Sequence, residues 1–436
     1  MPPRPQEATI DQIGPGIVEQ PARPRLRDIM GPGLITGASD DDPSGIATYS
    51  QAGAQFGYAL GWTLLLTLPL MAAIQQIAAW IGRVTGRGLA GNLRRHVPAP
   101  VLYGVVGLMV VANTINIGAD LGAMAAALHL LVGGPPLAYV AAFAIVTVLL
   151  EVFVRYSRYV TVLKWLTVSL FAYVATVLAA GVHWREAGAG LVVPHVEWSS
   201  AYLTVVVAVF GTTISPYLFF WQAGQEVEDT QGRPGARPLL RAPEQAEPEI
   251  RRIRLDTYLG MAFSNLIALC IILTTAATLH AHGVTDIETS SQAAEALRPI
   301  AGRFTFVVFA AGIIGTGLLA LPVLAGSAAY AAGEALGWHV GLAQRPGRAR
   351  GFYGAIAAAT AVGALLNVVG IDPVRALFWS AVVNGVVAVP VMAAMMVLAA
   401  RPAVMGRFTL GHTLQVLGWA ATAVMTAAAG AMFATW

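Results

Sequence analysis

Charge is scarce in this chain. Of 436 residues only 11% are Asp, Glu, Lys or Arg, and Lys164 is the sole lysine. A soluble domain averages about 25% charged residues. A chain with less than half of that share cannot clothe a body of this size in polar surface. The shortage excludes an ordinary cytosolic enzyme, a nucleic-acid-binding module and a disordered chain. Cysteine is almost missing too. Cys270 stands alone, so an intramolecular disulfide and a cysteine metal cluster are excluded, and the thiol reads as inert packing. No Walker loop, H-E-x-x-H pair or catalytic-triad spacing is found. No apolar core follows a basic start within residues 1–28, so no cleavable signal peptide is read. That polar, proline-rich stretch reads as a flexible cytoplasmic arm, and residues 29–436 as a transmembrane domain.

What the chain has is apolar length. Hydrophobic residues make up 56% of it and the mean hydropathy is +0.66. A very apolar soluble α/β protein would show runs of about 4–8 residues, and the runs here are far longer. About 20 apolar residues cross a bilayer. Eleven candidate spans result, at roughly 31–54, 58–82, 100–131, 135–154, 159–181, 201–224, 257–279, 304–333, 352–371, 375–400 and 412–435. The loop at 225–256, rich in Arg, Glu and Pro, reads as the main soluble segment and as partly disordered. The excess of +3 and pI near 9.1 reflect basic residues flanking the spans rather than a nucleic-acid partner. With the N-terminus inside, 22 of the 26 basic residues fall on the cytoplasmic side and 4 (Arg185, Arg298, Arg303, Arg375) on the other. A missed span would scramble that alternation. The C-terminus is then external, and a bacterial inner membrane suits the chain.

Two spans carry residues that a structural helix would not choose. The first reads Gly37-Ala38-Ser39-Asp40-Asp41-Asp42-Pro43-Ser44-Gly45, the second Gly211-Thr212-Thr213-Ile214-Ser215-Pro216-Tyr217. A proline inside a helix removes a hydrogen bond and clashes with the preceding turn. Three carboxylates at mid-membrane depth are costly and usually functional, and non-helical backbone there must line a cavity or be buried in protein. Pro43 and Pro216 lie in spans one and six, which five spans per half would produce. Interrupted helices at matching places in two halves point to a transporter built from inverted repeats, with freed carbonyls binding cations near the midplane. The repeats would cover about 31–182 and 200–400, with an extra span at about 412–435. Asp40, Asp42, Ser44 and Gly45 also mimic the start of a calcium loop, but Gln51 at the twelfth position and Pro43 exclude it.

At these residues the chain resembles the Nramp family of divalent-metal transporters, from about Gly31 to the C-terminus. Asp42-Pro43-Ser44-Gly45 aligns with the family's D-P-G-N, and Ser215-Pro216-Tyr217-Leu218 with its M-P-H-N. The resemblance implies an all-α integral membrane protein of LeuT-like fold. It has two inverted five-helix repeats plus one extra span, eleven transmembrane helices in all, with helices 1 and 6 broken. It implies a metal set of Asp42, Gly45, Thr212 and Ser215, and no cofactor. The family's Asn stands here as Gly45, its Met as Ser215, its Ala as Thr212 and its His as Tyr217. A thioether is a soft ligand that favours transition metals. Its loss leaves carboxylate, hydroxyl and carbonyl oxygen in a wider cavity. Such a site suits Mg²⁺, which keeps several waters and binds through one or two carboxylates. The chain is thus similar to the Nramp-related magnesium transporters, a branch that passes Mg²⁺ and Mn²⁺ and is thought not to couple to protons. The family's acidic pair in span three aligns with Asn116 and Ala119, with Asp120 one residue off. Asn carries no proton near pH 7, and the loss of a His removes the usual physiological switch.

Asp42 is therefore expected as the main ligand, with Thr212 and Ser215 facing it from span six. Gly45 offers a carbonyl or room. Asp40 and Asp41 are expected at the entry or around the ligands, as are Asn116, Asp120 and Tyr217. Ser380 and Asn384, one helical turn apart in span ten, either complete the site or bond between helices. Glu151 and Glu334 are expected to be solvated or ion-paired, and His280 and His282 to be solvated. The run Ala355 to Ala364 is expected to serve close helix packing. The partners are divalent cations and the bilayer. The main rival is a proton-coupled Mn²⁺ or Fe²⁺ symporter. An organic-solute carrier is opposed by the Asp triplet, and an intramembrane enzyme or sensor by the missing catalytic pairs and output domain.

Overall fold

The computed structural model describes residues 36–37, 39–154 and 170–436. The expected arm at 1–28 and part of the first and fifth spans lie outside these. Among the described residues the chain is helical and contains no strand. Helices α1 (Pro43–Phe56), α2 (Gly61–Thr85), α3 (Leu89–His96), α4 (Ala99–Val132) and α5 (Pro136–Phe153) come first. Then follow α6 (Phe171–Ala179), α7 (Trp184–Val192), α8 (Ser200–Thr213), α9 (Pro216–Gly232) and α10 (Ala246–Thr278). Last come α11 (Ser290–Glu295), α12 (Thr305–Leu336), α13 (Arg350–Leu366), α14 (Pro373–Ala399) and α15 (His412–Ala434). Nine helical stretches among the described residues are long and apolar enough to cross a membrane, with α8 and α9 forming one of them. Of the two other expected spans, 31–54 contributes α1 and 159–181 contributes α6.

The bundle is layered by burial. The strand of chain from Ser200 to Gly232 is wholly enclosed over its most apolar window, whereas α5 buries only 17% of its window. The broken pair therefore sits at the centre and α5 faces lipid. Helix α4 is the inner scaffold, packed on α12, α13 and α14, while α1 packs on α10, α14 and α8. Close approach relies on small residues. A side chain at Gly118 would lie 2.7 Å from the Gly363 carbonyl, and one at Gly363 would lie 3.0 Å from the Gly118 nitrogen. This is the small-residue contact expected of α13.

Three expectations need correction. The segment 225–256 is not a partly disordered loop. Helix α9 runs on to Gly232 and α10 starts at Ala246. Ion pairs hold these extensions: Arg252 to Glu226 at 2.5 Å, Arg252 and Arg83 to Glu249 at 3.0 and 3.1 Å, and Arg233 to Glu249 at 3.1 Å. Glu226 is fully buried and Arg83 nearly so, so the pairs tie α2, α9 and α10 together. Glu334 is half-buried and has no ion-pair partner among the described residues. It caps the start of α3 by accepting the amides of Gly88 and Gly91 at 2.7 and 2.9 Å. Glu151 is buried with no hydrogen-bond partner at either oxygen among the described residues. His280 and His282 are exposed as expected, and His280 Nδ1 also lies 2.8 Å from the Ala54 carbonyl.

Candidate cation site at two helix breaks

Both breaks form by one local device. Asp42 and Ser215 are extended N-cap residues, and each is followed by a proline at the first position of a new helix. A proline there loses no hydrogen bond, because that amide would be unpaired anyway. The positive ends of α1 and α9 thus meet in the middle of the bundle. Their caps differ. The Asp42 carboxylate accepts the Ser44 hydroxyl at 2.6 Å and the Gly45 amide at 2.8 Å through Oδ1. Ser215 caps nothing. Its hydroxyl turns back to the carbonyls of Gly211 and Thr212 at 2.9 and 2.8 Å, at the end of α8.

The expected residues converge on Asp42. Asn116 of α4 donates its side-chain amide to Asp42 Oδ2 at 3.0 Å, and the Tyr217 hydroxyl of α9 reaches the same oxygen at 3.4 Å. Ser380 of α14 donates to Asn116 Oδ1 at 2.6 Å and so fixes that side-chain amide. Gly45 provides room: a Cβ there would lie 3.2 Å from Thr212 Oγ1 and 3.4 Å from the Asp40 carbonyl. Asp120 follows Asn116 by four residues, so both share one face of α4. Met124, four further on, packs beside Pro43, because both approach the place a side chain at Gly317 would take. Asp120 lies between and faces the break. It is fully buried, and neither oxygen has a partner among the described residues. Asn384 is buried with both amide atoms unpartnered. No hydrogen bond among the described residues links it to Asp42, so of the two span-ten candidates only Ser380 joins the network.

Two participants escaped sequence reasoning. Ser44 lay inside the motif, and its role follows from the two-residue spacing to an N-cap carboxylate. Ser264 of α10 had no such signal. Its hydroxyl bonds Asp40 Oδ2 at 2.6 Å and lies 3.3 Å from Asp41 Oδ1.

The electrostatics are one-sided. Asp40, Asp41, Asp42 and Asp120 are all buried, and among the described residues none has a basic partner. Buried charge must be neutralised or paired. Nor do three His, Cys, Asp or Glu side chains among the described residues form a ready-made metal cage. The donors at the break are one carboxylate, hydroxyls, amides and carbonyls. Such a set can hold a cation and release it.

Access is asymmetric. At the end of the bundle bearing the 285–287 turn, a cavity of about 450 Å³ is lined by Gln51, Gln55, Asp286, Arg375, Trp379 and Trp436. Ala47 lines both this cavity and a cleft of only about 10 Å³ beneath it, which also touches Ile46 and Leu377. Ile46 lies one turn beyond Asp42, so apolar side chains separate vestibule from site. The opposite end carries the Arg83–Glu249–Arg252–Glu226 pairs.

The model of the family described as natural resistance-associated macrophage protein-like matches residues 33–435. The chain is 28% identical to the divalent metal cation transporter MntH of Burkholderia ambifaria, over 92% of this chain and 87% of that protein. It is 26% identical to the protein of the same name from Deinococcus radiodurans, over 98% and 95%. Its fold matches the crystal structure of the Eremococcus coleocola manganese transporter, with a TM-score of 0.71 at 18% identity, over 97% and 90% of the chains. It also matches Mhp1, a nucleobase-cation-symport-1 family transporter, with a TM-score of 0.57 at 14% identity, over 93% of each.

Proposed function

The chain belongs to the Nramp family, and from that premise we propose that it moves divalent cations, Mg²⁺ and also Mn²⁺, into the cytoplasm by alternating access and without proton coupling. The family is one of transporters, not enzymes, and no cofactor is indicated. The observation that carries the choice of cargo is the oxygen-only second break. Where the family has a thioether this chain has Ser215, whose hydroxyl is turned toward carbonyls. An all-oxygen site with room at Gly45 accommodates a hard ion that keeps part of its water shell. Asp42 is the main ligand, and Thr212, Ser215 and the backbone at Gly45 supply further oxygens. Asn116, Tyr217 and Ser380 orient the carboxylate. The cavity above Ala47 is the outer vestibule, and the arginine-rich end with its ion pairs is the closed cytoplasmic side. The N-terminus then lies inside the cell.

A second reading, proton-coupled Mn²⁺ or Fe²⁺ symport, is favoured by two observations. The relatives carry the MntH name. Asp120 places an unpartnered carboxylate on the face of α4 that meets the break, where it would serve as the proton carrier. Uptake into proteoliposomes holding a Mg²⁺ indicator, with a pH dye in a parallel batch, separates the two. The first predicts saturable Mg²⁺ entry without acidification. Mn²⁺ entry with acidification and no Mg²⁺ entry would reject it in favour of the second.

A further inference from the structure

The pair Asp40 and Asp41 is not used by the cargo site at Asp42. Both side chains are fully buried. Asp40 keeps Oδ1 and Asp41 keeps Oδ2 without any hydrogen-bond partner among the described residues. A buried oxygen without a partner forfeits its hydration, and an anionic one forfeits far more than a neutral one. Among the described residues, the one side-chain donor bonded to them is Ser264. A hydroxyl carries one proton, so it satisfies Asp40 at 2.6 Å and leaves its lone pairs beside Asp41 at 3.3 Å.

A second observation, outside the acidic pair, points the same way. Helix α10 lies tightly on the segment that carries these carboxylates, since a side chain at Gly37 would sit 2.3 Å from the Gly260 carbonyl. Thr257, Gly260 and Ser264 fall at i, i+3 and i+7, one face of that helix. Thr257 is also fully buried with an unpartnered hydroxyl. Thr257 and Ser264 thus place hydroxyls on the face of α10 that Gly260 presents to Gly37. Charge counting closes the argument. Four carboxylates share this interior with no basic partner among the described residues, and one divalent ion balances two of them.

We propose that Asp40, Asp41 and Ser264 form a second cation site, separate from the one at Asp42, which takes a hard divalent ion through oxygen donors alone. It rests on the reading of Asp42 as the cargo ligand only in being second. Its own donors are different residues on a different helix pair. It holds an ion on the side of the break that faces α10.

Counting bound Mn²⁺ tests this. The purified full-length chain in detergent is titrated with Mn²⁺, and free aqueous Mn²⁺ is read by electron paramagnetic resonance. Two ions per wild-type chain are expected, one in Asp42→Asn and one in the double variant Asp40→Asn, Asp41→Asn. Ser264→Ala removes a single hydroxyl and should leave the fold intact, as monodisperse elution would verify. It should weaken one of the two ions about tenfold, the effect of losing a group that orients a metal ligand. A single ion per wild-type chain at saturation, or two unweakened ions in both Ser264→Ala and the double variant, overturns the proposal. If Asp42→Asn still binds two ions while the double variant binds one, the second site stands and the assignment of cargo to Asp42 falls.

Discussion

The two helix breaks share a backbone and differ in charge. Each is an extended residue, then a proline, then a new helix. At the first break the extended residue is an aspartate whose carboxylate collects four donors from three helices. At the second it is a serine that caps nothing and bonds back across the gap. The comparison separates two tasks. Proline placement makes the gap, and the N-cap side chain decides what the gap attracts. An anionic cap at a helix N-terminus is favoured by the helix dipole, and the four donors fix the Asp42 side chain without a basic partner among the described residues. On the proposed function, the neutral break sets which cation is accepted.

The largest effect should follow from removing the charge at the first break. Asp42→Asn keeps the size of the side chain but not the anion, and uptake in proteoliposomes should fall by about 100-fold or more, the cost of losing a buried ionic partner. Retained uptake would show that the charge resides elsewhere, with Asp120 as the first place to look. Adding a soft ligand at the second break is the converse experiment. Ser215→Met should raise Cd²⁺ or Mn²⁺ uptake relative to Mg²⁺ by about tenfold, equivalent to about 1.4 kcal/mol. An unchanged ratio in competition assays would mean that residue 215 does not face the ion. A smaller effect is expected one layer out. Asn116→Ala deprives Asp42 Oδ2 of its 3.0 Å donor, and the apparent KM should rise several-fold to tenfold while the maximal rate changes less. An equal loss in both would place Asn116 in the moving step instead.

The fold was largely legible because its signals are long. Spans of about 20 apolar residues, alternating arginines and two matching prolines are each visible in one dimension. The site was legible where it coincided with the breaks, at Asp42, Gly45 and Tyr217, and one step further at Asn116 and Ser380. It was illegible where a partner is a common residue on a distant helix. Ser264 lies more than 220 positions from Asp40 and carries no motif. The segment 225–256 misled for a related reason. Its charges suggest solvation, but Glu226, Glu249 and Arg252 pair across helices, and pairing is a property of the fold. Glu334 misled similarly, since amides of Gly88 and Gly91 rather than a side chain hold it.

The smallest effect sharpens the comparison most finely, because it asks whether the first break needs space as well as charge. Gly45 donates its amide to Asp42 and faces Thr212 of the other break. A methyl group there would meet the Thr212 hydroxyl at 3.2 Å and the Asp40 carbonyl at 3.4 Å. That contact is tight but yields to a shift of a few tenths of an ångström. Gly45→Ala should therefore fold, and should reduce Mg²⁺ uptake about fivefold, corresponding to about 1 kcal/mol of overpacking. Gly188 in α7 is the control, because nothing lies within 4 Å of its missing side chain. Gly188→Ala should leave transport unchanged and stabilise the detergent-purified protein by about 0.5–1 kcal/mol through the helix preference of alanine. If both variants transport as the wild type does, the ion does not pass through the space between Gly45 and Thr212. The two breaks would then cooperate through the Asp42 hydrogen-bond network alone.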